Sequence, residues 1–306
     1  MFATIIGPYP DVPGARSEAD RLTAVIEDQL DAGLGMLTDG RVHRVGADPG
    51  PVVEAWRAAD AVGHHLAAER GLEPPLLKAC LLGPWSAADG EPDGVPTATQ
   101  RLRPAIEALF EAGAPVVQLT EPGVGAIDAA DTGSHALLSG ALEHLAETAS
   151  AGGHLSLALA GGGPTAVPPE RLMVGFGSHL FDLITSPDDW GLCARVPGAA
   201  GLVVGVVDAR TTRAGALEVG VWGARYAASM AGRGPMRTGV CPGAGIERLG
   251  RDAARALLAF TAEVARKADL PDRDLVRTLD PRAVDARSAA LGAGSLRPRR
   301  PRRAGR

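Results

Sequence analysis

The sequence predicts a single-domain (β/α)8 TIM barrel, and three observations carry the prediction. Short apolar segments rich in β-branched residues alternate eight times with segments of helical apolar spacing, the pattern of parallel strands joined by right-handed crossovers. The chain, at 306 residues, is long enough for one such barrel. Polar residues collect just after the C-terminal ends of the apolar segments, the rim at which such barrels carry their chemistry. An open doubly wound sheet is the competing fold. It calls for a glycine-rich phosphate turn after the first strand, and Gly7-Pro8-Tyr9 supplies none.

The segments justify themselves in order. Ala3–Gly7 reads as a first strand stopped by Gly7-Pro8. Leu22, Val25, Ile26 and Leu30 give Ser17–Ala32 a helical face, with Ser17 as N-cap and Gly33 as stop. Leu34–Thr38 is a second strand ending in Asp39-Gly40-Arg41. A helix over Pro51–Arg70 precedes a third strand, Leu76–Leu82, which ends in Gly83-Pro84-Trp85. The helix Gln100–Glu111 leads into Val116–Leu119, a fourth strand buried on both faces that stops at Glu121-Pro122-Gly123. Ser134–Ser150 is helical, capped by Thr132 or Ser134. His154–Ala160 is a fifth strand, closed by Gly161-Gly162-Gly163, which reads as a flexible loop or a phosphate cradle. A short helix at Pro168–Val174, a sixth strand at Leu180–Thr185 and a connector at Asp188–Val196 follow. Gly201–Val207 is a seventh strand ending in Asp208-Ala209-Arg210. A helix over Ala214–Met230, a weak eighth strand at Arg237–Val240 and a helix over Arg248–Lys267 complete the count. The barrel domain is therefore placed at residues 1–270, with a disordered, arginine-rich tail at 271–306.

Composition narrows the function classes. Hydrophobic residues make up 45% of the chain but aromatics only 4%, so the core must be Ala, Val and Leu. Net charge is −5, and Ser295–Arg306 holds six arginines and no acid, so the body is more acidic still. An acidic body argues against a nucleic-acid-binding fold, leaving only non-specific contact by the tail. Three widely spaced cysteines, Cys80, Cys193 and Cys241, point to a reducing compartment and hence the cytoplasm. No basic segment precedes an apolar run at Met1–Pro10, so no signal peptide is expected. No apolar run reaches membrane-spanning length. The expected partner is a small molecule; oligomeric state is not legible.

The predicted rim comprises Tyr9, Asp39, Arg41, Trp85, Glu121, Asp182, Thr185, Asp208, Arg210 and Cys241. His154 opens its strand and shares a face with Ser156. Each has a structural alternative. His154 reads as a metal ligand or an interior histidine, and Cys241 as a ligand or a small buried hydrophobe. Glu121 reads as a catalytic carboxylate or the partner of an arginine, and Asp208 as catalytic or as a local ion pair with Arg210.

Several of these segments resemble the C-terminal catalytic barrel of cobalamin-independent methionine synthase. The resemblance rests on Ile6-Gly7 followed by Tyr9-Pro10, on Thr38-Asp39-Gly40, on Leu82-Gly83-Pro84, on Gln118–Pro122, on Val206–Asp208 and on Arg237–Leu249 with Cys241. It spans residues 3–267. It implies a methyl or alkyl transferase in which zinc activates a thiol, with one coordination position left open for substrate. Carried over, the metal ligands become His154 and Cys241, because the other two family positions fall on Ser156 and near Pro187. The resemblance also implies catalytic roles for Glu121 and Asp208. Substrate contacts fall to Gly7, Tyr9, Asp39, Arg41, Trp85, Thr120 and Arg210. Arg41 and Thr120 stand where the family has carboxylates for the substrate's ammonium, which disfavours homocysteine and suits an anion. Two alternatives stay open: a small-molecule-binding barrel that has lost its metal, and a metal-free lyase like the uroporphyrinogen decarboxylases.

Overall fold

The computed structural model describes residues 1–161, 167, 169–172, 175–211 and 216–279. Eight parallel strands, β1 (Phe2–Ala3), β2 (Met36–Leu37), β3 (Leu76–Leu82), β4 (Val116–Thr120), β5 (His154–Leu159), β6 (Ser178–Asp182), β7 (Gly201–Val207) and β8 (Thr238–Pro242), form one sheet. The sheet runs in the order β1-β8-β7-β6-β5-β4-β3-β2. The amide of Gly35 donates to the Ala3 carbonyl at 3.0 Å, bringing the β2 end of the sheet back to β1. The result is a nearly closed (β/α)8 barrel, as the alternating pattern predicts.

The helices are α1 (Glu18–Ala32), α2 (Gly50–Glu69), α3 (Pro84–Ala87), α4 (Val95–Glu111), α5 (Thr132–Ala146), α6 (Pro169–Leu172), α7 (Leu217–Ser229), α8 (Arg251–Ala268) and α9 (Asp272–Thr278). Local chemistry sets α1: the Ser17 side chain accepts from the Asp20 amide, and Gly33 closes the helix in the left-handed region at φ 79°. The expected boundaries shift where tertiary context dominates. Helix α4 begins five residues before Gln100, with a proline in its first turn, where a missing N–H does no harm. Asp131, not Thr132 or Ser134, caps α5 by accepting from the Ser134 amide. Strand β6 starts at Ser178, two residues early, because it pairs with β5 from Ser156↔Ser178 onward. The tail expected from residue 271 is helical at its start: α9 is held to α7 by an Arg225–Asp272 ion pair. The arginine-rich Ser295–Arg306, along with Gly162 and Gly163, lies outside the described residues. Among the described residues no helix is long and apolar enough to cross a membrane.

The strands' two faces do different work. Val117 and Leu119 of β4 face the helices and join the large apolar layer between sheet and helices. Alternate residues face the axis. There the apolar cluster is small, namely Ile6, Ala158, Ala160, Leu180, Val203 and Cys241. Lys78, Gln118, Thr120, Ser156, Ser178 and Asp182 are buried on that face too. The barrel interior is therefore unusually polar on its β3–β6 side.

A candidate binding site at the barrel mouth

A cavity of about 520 Å³ opens at the C-terminal ends of the strands, and every strand end contributes to it. Ile6 follows β1, Val42 lies beyond β2, Leu82 ends β3 and Thr120 ends β4. Ala160 follows β5, Thr185 follows β6, Arg210 lies beyond β7 and Ala244 beyond β8. Most of the wall is apolar. Its polar groups are the Thr120 and Thr185 hydroxyls and, at the rim, Arg210, Glu247 and Arg248. Gly7 sits beside this wall, and a Cβ on it would stand 2.4 Å from Val42 Cγ2, so only glycine lets the β1 end meet the segment after β2.

Of the residues expected at the rim or the site, Thr120, Thr185 and Arg210 line the mouth. Arg210 is not a free cation: its Nε and Nη2 donate to Asp208 at 3.0 and 3.1 Å. The Arg210 guanidinium holds the Asp208 carboxyl below its usual range. The pair is close to neutral and solvent-exposed, so it attracts anions weakly.

The other rim residues are turned elsewhere. The Tyr9 hydroxyl donates to Asp28 Oδ2 at 3.0 Å, behind the barrel, where Arg251 (2.6 Å) and Arg255 (3.2 Å) converge on the same carboxylate. Burial and the Asp28 charge push the Tyr9 phenol well above its usual pKa. Tyr9 therefore ties the segment after β1 to α1 and α8, and Asp28→Ala should cost about 2 kcal/mol in chemical denaturation, because it strips the phenol and Arg251 of a shared charged acceptor. Unchanged stability would dismiss that role.

Arg41 pairs with Glu18 of α1 at 2.7 Å and is half exposed, away from the mouth. Asp39 holds His43 Nε2 at 2.5 Å and accepts from the Arg41 amide. His43 adjoins Val42 in an extended segment bridged to Leu81, so with Val42 in the mouth, His43 faces outward. Trp85 is buried in α3. Glu121 accepts from the Trp85 amide (2.8 Å), the Ser86 amide (2.8 Å) and the Ser86 hydroxyl (2.6 Å), which makes it the anchor of α3. Its expected arginine partner is replaced by these donors. Burial pushes its carboxyl up to about 7, against the three hydrogen bonds that pull it down.

The predicted metal pair is separated by the strand register. Cys241 shares a row with Gly205 and Asp182, and since Phe181 pairs with Leu159, the last residue of β5, that row reaches the chain one residue past β5, at Ala160. His154 lies six residues lower on β5, roughly 20 Å along the strand direction. Zinc ligands must all come within about 2.0–2.3 Å of one ion, so the two cannot share it. His154 instead sits at the opposite end of the barrel, its Nε2 2.8 Å from Ser178 Oγ, which in turn donates to Ser156 Oγ at 2.9 Å. Cys241 is fully buried, and its burial raises the thiol pKa far above the usual value. It is the small interior hydrophobe of the alternative reading. The β5 positions facing inward near Cys241's row are Ala158 and Ala160, which carry no donor atom.

The arrangement of strands also occurs in solved structures. A B12-independent methionine synthase from Shewanella sp. W3-18-1, solved in complex with selenomethionine, matches at a TM-score of 0.67 and 14% identity over 90% of this chain and 99% of that one. A putative vitamin-B12-independent methionine synthase from Listeria monocytogenes matches at 0.62 and 12%, over 89% and 98%. A methyltransferase from Methanosarcina mazei matches at 0.57 and 16%, over 85% and 93%. In fold, this chain is similar to B12-independent methionine synthases. No family model matches the sequence, and no curated protein matches it.

The donor set does not follow the fold. Among the described residues no group of three or more His, Cys, Asp or Glu could hold a metal ion. The stretches 162–166, 168, 173–174 and 212–215, outside the described residues, contain none of these four residue types. Asp182, the one carboxylate in Cys241's row, already accepts from the Ile184, Thr185 and Ala244 amides and the Thr185 hydroxyl. Among the described residues thiol-activating zinc therefore has no ligand set at this mouth.

Sequence reasoning did not single out two buried polar residues beneath the mouth, Lys78 and Gln118. Their signal was available: Lys78 interrupts the apolar run Leu76–Leu82, and a cation in a buried strand needs partners.

Proposed function

We propose that this chain is a methionine-synthase-like barrel that binds a small molecule in its mouth and works without thiol-activating zinc. One observation carries the reading: all eight strand ends converge on a cavity of about 520 Å³ whose wall supplies hydroxyls but no metal-ligand cluster among the described residues. A cavity of that size suits a small ligand. The apolar wall and the neutralised Arg210 favour a ligand with an apolar body and few charges. The polyanionic substrate of the lyase reading loses its support, since Arg41 is committed to Glu18.

Elemental analysis of the purified protein should find no stoichiometric zinc, and Cys241→Ser should leave the metal content unchanged. About one zinc per chain, lost in Cys241→Ser, would refute the proposal. Ligands from a small-molecule panel that raise the melting temperature of the wild type should fail to do so in Ala244→Trp, which fills the mouth.

A second reading keeps group transfer to a thiol. It is favoured by the 90% coverage of this chain by the Shewanella fold. It requires turnover: methylation of homocysteine from 5-methyltetrahydrofolate, or alkylation of another thiol, above the uncatalysed rate.

A further inference from the structure

The two hydroxyls in the mouth are held in opposite hydrogen-bonding roles by groups beneath them. Lys78 of β3 is 2% exposed, and its Nζ donates to the Ile5 carbonyl at 2.7 Å and to Gln118 Oε1 at 2.6 Å. Gln118 Nε2 donates to the Ile6 carbonyl and to Thr120 Oγ1, the latter at 2.9 Å. A carbonyl oxygen only accepts, so the Ile6 contact fixes which end of the Gln118 amide carries the hydrogens. Both amide hydrogens are then committed, and Thr120 Oγ1 is an acceptor toward Gln118. The Thr120 hydroxyl proton has no acceptor among the described residues. Thr120 is 4% exposed and lines the mouth, so a bound ligand is where that proton can go.

Thr185 is set the other way. Its hydroxyl donates to Asp182 Oδ2 at 2.5 Å. The Asp182 carboxylate also takes three backbone N–H groups. With its proton committed, Thr185 presents only lone pairs to the mouth.

We propose that Lys78, acting through Gln118, sets Thr120 as a hydrogen-bond donor into the mouth while Asp182 sets Thr185 as an acceptor. The mouth thereby selects an apolar ligand that carries an acceptor on its β4 side and a donor on its β6 side. This rests on the mouth-binding reading above. Thr120 and Thr185 are the ligand-contacting residues; Lys78, Gln118 and Asp182 are positioning residues. Reversing either hydroxyl would leave a buried polar atom of the ligand unpaired, which is how a site rejects the wrong isostere.

Three small probes separate the roles: acetophenone accepts only, indole donates only, and ethylbenzene does neither. Their affinities for the full chain are measured by NMR titration, with Ala244→Trp confirming that binding is in the mouth. Acetophenone and indole should each bind roughly fivefold more tightly than ethylbenzene, the factor for one net hydrogen bond. Thr120→Val should abolish the acetophenone preference and leave the indole preference, Thr120→Ser should retain both, and Thr185→Val should do the reverse of Thr120→Val. Lys78→Met should weaken the acetophenone preference alone, an effect that simple loss of packing would not confine to one probe. If Lys78→Met does not fold, the Thr120 and Thr185 variants decide the matter. Equal binding of acetophenone and ethylbenzene, or a preference that survives Thr120→Val, overturns the inference while leaving mouth binding intact. Failure of all three probes to bind overturns the mouth-binding reading and this inference with it.

Discussion

Asp182→Ala should destabilise the fold by about 3 kcal/mol or more, since each buried donor left without a partner costs about 1–3 kcal/mol. Asp182 ends β6, is fully buried, and is the point at which three segments meet. It takes the amides of Ile184 and Thr185 from the turn after β6, and the Ala244 amide from the turn after β8. Alanine would orphan three N–H groups and free the Thr185 hydroxyl. Asp182→Asn keeps one oxygen but turns an NH2 toward those donors, and should cost about half as much. Urea unfolding of the two variants, with Thr185→Val as a one-bond control, reads the order directly. Equal midpoints for wild type and Asp182→Ala would show that the β6 and β8 turns do not depend on this carboxylate. The variant matters beyond stability. The same turns place Thr185 and Ala244 in the mouth, so ligand binding should weaken along with the fold.

The second large effect is hidden in the wild type by cancellation. Burial pushes His179, enclosed by Phe176 and Phe181, from its usual 6.5 down to about 4, with the Arg233 charge adding to the effect. Between those pH values the unfolded chain binds a proton that the folded chain refuses, so this group makes stability rise with pH and withdraws stability as pH falls from 6.5 to 4. His154 is lowered by burial and acts in the same direction. Glu121 is raised by burial from 4.5 to about 7. In that window the folded chain holds a proton that the unfolded chain has released. Its contribution is therefore fully present below 4.5 and is lost as pH rises to 7. Each pKa unit corresponds to about 1.4 kcal/mol, so His179 and Glu121 each carry a slope worth about 3 kcal/mol across its window. Denaturation midpoints of the wild type should vary less from pH 4.5 to 6.5 than those of either variant, with a residual rise from His154. Glu121→Gln should uncover a stability that climbs with pH, and His179→Leu one that falls. The experiment has a clear failure: if neither variant departs from the wild-type profile, folding shifts the titration of neither group.

The architecture was legible because apolar periodicity is local. The third strand, Leu76–Leu82, and the seventh, Gly201–Val207, appear in the structure with the predicted bounds, and Ser17 and Gly33 bound α1 as expected. Each of these rests on a few consecutive residues whose chemistry does not depend on the remainder of the chain. Elements that answer to distant partners shifted. Strand β6 begins where β5 offers a ladder, and α9 forms where Arg225 of α7 meets Asp272.

The site was legible only in part. That polar residues would gather at the C-terminal rim followed from the alternation, and Thr120, Thr185 and Arg210 do line the mouth. Which way a rim side chain turns did not follow. Tyr9 and Arg41 find charges on α1, and Glu121 finds the amides of α3; each leaves the mouth for a partner that no local pattern announces. His154 and Cys241 looked like a pair because the family resemblance carried metal-ligand positions onto both. Strand register, a property of the closed sheet alone, sets them at opposite ends of it. By itself, then, the sequence determined the barrel and its rim, both consequences of short-range patterning. Only the tertiary structure decided that the mouth carries two hydroxyls of opposite polarity and no shared metal site among the described residues. Hydrogen bonds and coordination spheres are made between residues far apart in the chain, and their geometry exists only once the barrel has closed.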